Sequence, residues 1–161
     1  MTAATKDQGT RHQITTPSDR EIRIERTFNA PRAKVWRAFT DPEWLAQWWG
    51  RGNKLDIERY EFQRGGHYRF VEHNDKGKDG FEGRFMEIAP PERLMLTFEW
   101  DGLPGYSIRE EITLEDQGER TRVVTTMWFL KTEERDGMLH SGMEGGMAES
   151  YAALDRLLAS K

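Results

Sequence analysis

A chain of 161 residues fits one domain, long enough to bury roughly 70% of its unfolded surface. A net charge of −4, with 24 Lys and Arg spread among 28 Asp and Glu, argues against a nucleic-acid partner, because no basic surface tracks phosphates. The absence of cysteine removes disulfides, zinc–thiolate sites and thiol nucleophiles, and no signal core or membrane-length apolar run is legible, so a cytoplasmic protein without a membrane partner is expected.

Residues 1–19 are polar, Thr-rich and without apolar period, and read as a tail lacking fixed structure, leaving 20–161 as the domain. Arg20–Phe28 alternates, with Ile22, Ile24 and Phe28 on one face, which predicts a first strand. Two short helices follow. Pro31 suits a first helical position ahead of the apolar stripe Val35, Trp36 and Phe39. Asp41-Pro42-Glu43 then supplies a cap, a proline for the first turn and an acid at the positive helix end. Leu45, Trp48 and Trp49 fall at i, i+3 and i+4, on one side of that second helix. Three of the six tryptophans, Trp44, Trp48 and Trp49, thus lie within six residues, building an aromatic wall that either fills a core or lines a cavity.

From Lys54 to Lys131 the chain reads as strands separated by turn chemistry: Leu55–Gln63, His67–His73, Phe81–Ala89, Arg93–Trp100, Ser107–Glu115 and Thr121–Leu130. The connections are short, so successive strands should pair antiparallel as a meander. Leu94, Leu96, Phe98 and Trp100 share a face, which predicts one covered and one wet surface. The closing segment, about 133–160, places Leu139, Met143, Met147, Tyr151, Leu154 and Leu158 at spacings of four, four, four, three and four, an amphipathic helix whose stripe must bury against the concave sheet. Gly142, Gly145 and Gly146 interrupt it at a cost of about 1 kcal/mol each relative to Ala, which predicts a bend or a close backbone approach.

Certain motifs carry a family likeness: Phe28-Asn29-Ala30-Pro31 with Val35-Trp36, Phe39-Thr40-Asp41-Pro42, Trp48-Trp49-Gly50, Arg64-Gly65-Gly66, Glu87-Ile88-Ala89-Pro90-Pro91-Glu92-Arg93-Leu94, Glu134-Arg135-Asp136-Gly137 and Gly142-Met143-Glu144-Gly145-Gly146-Met147. With these the chain resembles the helix-grip fold of the START/Bet v 1-like (SRPBCC) superfamily, in the branch related to the C-terminal domain of the activator of the Hsp90 ATPase. The resemblance implies an α+β fold: a curved antiparallel sheet of about seven strands wrapped around a long C-terminal helix, with two short helices after the first strand. Met147 stands where many relatives carry a tryptophan, which implies local repacking or a roomier cavity. The resemblance also implies a cavity between sheet and helix, and with it binding of a small hydrophobic molecule. Cyclase/aromatase-like catalysis in the same pocket and a chaperone-regulating role are the alternatives. An Hsp90-type chaperone is not expected as a partner, since nothing before Arg20 encodes the separate docking domain of the true cochaperone.

The residues placed on that cavity are Trp48, Trp49, Tyr68, Phe70, Phe85, Phe98, Trp100, Met127, Met143 and Met147; the alternative is that they fill a solid core. Glu110 alternates with Ile108, Ile112 and Leu114, and Glu72 is in phase with Tyr68 and Phe70, so both carboxyls point inward and need partners, for which Arg69, Arg84, Arg109 and Tyr106 are candidates. Glu110 and Arg69 are the candidate catalytic residues of the enzymatic alternative, in which a carboxylate or an arginine assists proton transfer, against a purely structural role. His67 and His73 stand about 20 Å apart along one strand and cannot share a metal. No H-E-x-x-H, G-x-S-x-G or dinucleotide fingerprint is present, so neither metal nor cofactor is expected.

Overall fold

The structure, a computed structural model, describes residues 11–161. Part of the sequence-predicted tail, residues 1–10, lies outside the described residues. The rest of it does not behave as a tail. Gln13–Thr15 forms strand β1, paired antiparallel with β2 (Glu21–Phe28) through Ile14↔Ile24. A three-residue strand shows no period, but it satisfies the backbone groups that β2 would otherwise leave open at the sheet edge.

Helices α1 (Arg32–Thr40) and α2 (Pro42–Leu45) follow, and then strands β3 (Leu55–Tyr60), β4 (His67–Asn74), β5 (Gly77–Ala89), β6 (Arg93–Trp100), β7 (Ile108–Gln117) and β8 (Arg120–Trp128). The eight strands form one antiparallel sheet in the order β1-β2-β8-β7-β6-β5-β4-β3. β3 to β8 are the expected meander; β2 joins its end by pairing with β8 from Thr121 to Trp128. The excursion through α1 and α2 therefore spans the width of the sheet. Register shifts at Ile57/Arg59 and Phe85/Glu87 are bulges, which bend strands and deepen the concave face. Gly83 permits the β5–β6 pairing to close: a Cβ there would lie 2.0 Å from the Thr97 carbonyl oxygen.

Asp41 caps α2 as its sequence predicts, accepting from the Glu43 amide at 3.0 Å, but the helix stops at Leu45. Turns carry the chain on through Gly50, Arg51 and Gly52, which hold φ of 76°, 65° and 76° in succession. Leu45 and Trp48 still reach the core.

The closing helix is two helices, α3 (Thr132–Leu139) and α4 (Met143–Ser160). The break is at Gly142, whose φ of 87° belongs to the left-handed region glycine enters without steric cost. Gly146 is the close approach, since a Cβ there would meet the Arg51 guanidinium at 3.0 Å. No residue of α3 is buried, whereas α4 buries Tyr151, Ala153, Leu154, Leu157 and Leu158. Grip on the sheet therefore comes from the last three turns of α4, which pack with Ile22, Phe28, Val35 and Val123 in one core. Among the described residues no helix is long and apolar enough to cross a membrane.

Candidate functional site

The first half of the helical layer stands off the sheet, and the space beneath it is a cavity of about 430 Å³. Strand periodicity builds its floor. β4 turns Tyr68 and Phe70 inward, β5 Phe81 and Phe85, β6 Leu96, Phe98 and Trp100, β7 Glu110 and Ile112, and β8 Thr125 and Met127. Cross-strand register sets these side by side, as in Phe70↔Phe81, Phe81↔Trp100, Leu96↔Glu110 and Glu110↔Met127. Trp48 and Trp49 close one side, and Met138, Met143 and Met147 with Tyr151 form the roof. All ten cavity residues read from the sequence line this space. The exposed lining residues Arg51, Trp100, Ser141 and Gly142 mark its mouth.

The tryptophan cluster divides between the two roles open to it. Trp48 is 3% exposed and its indole donates to the Ala38 carbonyl at 2.8 Å, so it locks α1 to the following turn. Trp49 remains partly buried and meets Phe70 and Phe81 edge-on, with centroids 5.2 and 5.0 Å away, the favourable geometry for aromatic pairs. It is cavity wall.

Most polar atoms on the wall are already engaged. Tyr68 donates to the Thr97 carbonyl and Tyr60 to the Thr40 carbonyl, both at 2.6 Å. The Tyr151 hydroxyl is paired with Thr125. Asn53 donates to buried Glu72 at 2.9 Å, and Asp79 accepts from Asn74 and the Trp100 indole. Glu110 differs: no described residue gives it a hydrogen bond or an ion pair. Its accessible surface faces the cavity. Burial alone raises its carboxyl to about 7. Burial also raises the Tyr68 phenol well above its ordinary value and that of Tyr151 to about 12, and the Glu110 charge adds to both.

Arg69 is not at the site. It sits between Tyr68 and Phe70, so period-two alternation sends it to the outer face. There it pairs with Asp101 at 2.7 Å, Glu82 at 3.0 Å and Glu58 at 3.2 Å. These carboxylates hold its pKa above the ordinary arginine value, and Arg69 in turn lowers that of Asp101. The other candidate partners of Glu110 are also elsewhere. Arg84 donates to the Gly65 carbonyl, Arg109 lies over Trp128, and Tyr106 is 54% exposed. His67 and His73 pair separately with Glu82 and Asp56. Among the described residues no cluster of His, Cys, Asp and Glu is placed to hold a metal. Tyr60, Phe81, Thr125 and Arg51 line the cavity without having been foreseen. Phe81 and Thr125 were within reach, being in phase with Phe85 and Met127; Tyr60 ends β3 and Arg51 lies in the turn after Trp49, where no alternation marks the inward side.

Residues 29–159 match the family model described as activator of Hsp90 ATPase homolog 1-like protein. The chain belongs to that family. No curated protein matches it. Among solved structures, this activator of Hsp90 ATPase homolog 1-like chain is similar to a protein of Rhodobacter sphaeroides, with 28% identity, a TM-score of 0.84, and coverage of 93% of this chain and 99% of the other. An Arthrobacter aurescens protein gives 25% identity and a TM-score of 0.83, covering 92% of each chain. DynU16, described as a putative protein in the dynemicin biosynthetic locus, is 26% identical with a TM-score of 0.68; the match covers 89% of this chain and 48% of DynU16.

Proposed function

We propose that the protein binds one small, mostly apolar molecule in the cavity between the sheet and the α3–α4 layer. The observation that carries this reading is an aromatic-walled space of about 430 Å³ containing a carboxyl with no partner among the described residues. Such volumes are typical of small-molecule sites, where apolar walls supply affinity and a few polar groups supply orientation. The likeness to a protein from a biosynthetic locus supports a small-molecule role. A cytoplasmic location goes with the proposal. Native mass spectrometry of protein purified without denaturation tests it. The expected spectrum shows a retained small molecule, or a 1:1 complex after adding an apolar aromatic such as fluorene. A bare protein that takes up neither overturns the reading.

A second reading, catalysis of a cyclase-like proton transfer, is favoured by one observation. A carboxyl near 7 is suited to give or take a proton at neutral pH. Glu110→Gln separates the two: binding survives in both, but turnover of a candidate substrate falls only if Glu110 carries the proton. Regulation of an Hsp90-type chaperone rests on the family description alone. Adding this protein is expected to leave that chaperone's ATPase rate unchanged.

A further inference from the structure

Among the described residues, every side chain that faces Glu110 is apolar or already engaged. In the sheet its neighbours are Leu96 on β6 and Met127 on β8, with Ile108 and Ile112 two residues away on its own strand. From β4 it is faced by the Tyr68 phenol, spent on Thr97, and from α4 by the Tyr151 phenol, paired with Thr125 of β8. Arg26, behind Tyr151, is held by Asp155 through bonds of 2.9 and 2.6 Å. Glu72 is held by Asn53, and the one basic residue on the described wall, Arg51, is at the exposed mouth. Among the described residues no cation reaches the Glu110 carboxyl.

We propose that Glu110 works as a neutral carboxylic acid that donates a hydrogen bond to a carbonyl oxygen of the bound molecule, so that the cavity selects apolar ligands bearing a ketone or related acceptor. The inference rests on the ligand-binding reading above and adds the chemistry of the ligand. An isolated carboxylate is costly among Leu96, Met127, Ile108 and Ile112, whereas the neutral acid is far less so. The acid then has one O–H to place, and the Tyr68 phenol already has its acceptor in the Thr97 carbonyl. An anionic Glu110 would set its lone pairs against those of the carbonyl. With the carboxyl titrating at about 7, affinity is full below that pH and falls about tenfold from pH 6 to pH 8. An amine ligand would show the opposite slope, because it would need the anion.

The test uses 9-fluorenone, fluorene and 9-aminofluorene, which share one skeleton and differ at one position, with binding read by quenching of tryptophan fluorescence. Fluorenone is expected to bind more tightly than fluorene at pH 6, by about tenfold, as a hydrogen bond to an otherwise unsatisfied group allows, and to lose that advantage by pH 8. Glu110→Gln keeps an N–H donor of the same shape, so it should bind fluorenone within about threefold of the parent with a flat pH profile. Glu110→Leu should bind fluorenone and fluorene alike. Carbon-13 NMR of the Glu110 carboxyl, without any ligand, should show a midpoint near 7. Equal affinity for fluorenone and fluorene at pH 6, a pH-independent fluorenone affinity in the parent, or tightest binding of 9-aminofluorene with affinity rising toward pH 8 would each overturn the inference while leaving the cavity as a ligand site. Failure of fluorenone and fluorene alike to bind overturns the ligand-site reading, and this inference with it.

Discussion

A carboxyl that titrates at about 7 when folded and at 4.5 as a free side chain makes stability depend on pH in one direction. Between those values the folded protein keeps a proton that the unfolded chain has released. Stability therefore declines as pH rises through that window and levels off above it. The span corresponds to at most about 3 kcal/mol. Glu110→Gln has no such proton to lose. Urea unfolding at pH 5 and pH 8 should show the parent losing stability by up to that amount relative to the variant; parallel pH profiles would contradict a desolvated acid without a partner among the described residues. Alternation with Ile108 and Ile112 was enough to read Glu110 as inward from the sequence. The same rule, applied to Tyr68 and Phe70, turns Arg69 outward, so pairing Arg69 with Glu110 conflicted with the strand's own period. The lack of a partner among the described residues was not legible at all, because it depends on what four other elements bring to the spot.

Among the elements, the helical layer decides whether the interior is solid. The meander from β3 to β8 and its turns followed from period and breaker residues, and β6 has the bounds its alternation gives, Arg93–Trp100; the pairing of β2 with β8 and of β1 with β2 did not. The stripe from Leu139 to Leu158 was legible too, and so was a first half set over the pocket, but not that the helix would break into two. Tyr151, Leu154 and Leu158 are buried, whereas Leu139, Met143 and Met147 are only partly so. The three glycines hinted at the break, and Gly142 makes it by adopting a positive φ. Gly142→Ala meets nothing within 4 Å, so its cost is purely conformational: about 1 kcal/mol, the penalty of a left-handed β-carbon. Denaturant midpoints should register this loss without a change in slope. A neutral or stabilising result would mean that the α3–α4 junction is not held in this conformation.

Across the whole molecule, a core and a cavity are written in the same alphabet. Inward aromatics on β4, β5 and β6 satisfy either, and only the stand-off between sheet and roof, a sum over many contacts, distinguishes them. That is why the wall residues were legible and the empty volume was not. The division predicts separable functions. Leu154 is fully buried and off the cavity wall, so Leu154→Ala should cost 2–5 kcal/mol, as core truncations do, yet leave fluorene affinity unchanged at temperatures where the variant is folded. Met143→Trp fills space beneath the roof, so it should lower fluorene affinity at least about tenfold with a stability change within about 1.5 kcal/mol. Matched losses of stability and affinity in both variants would contradict a preformed space.

The methionines allow the most direct measurement. Met127, Met138, Met143 and Met147 line the cavity, whereas Met86 and Met95 do not. In a carbon-13 methyl NMR titration with fluorene, ring currents should move the first four resonances together, saturating at one equivalent, and leave the other two in place. Shifts confined to Met86 and Met95, or none in any of the six, would contradict a molecule bound between sheet and helix.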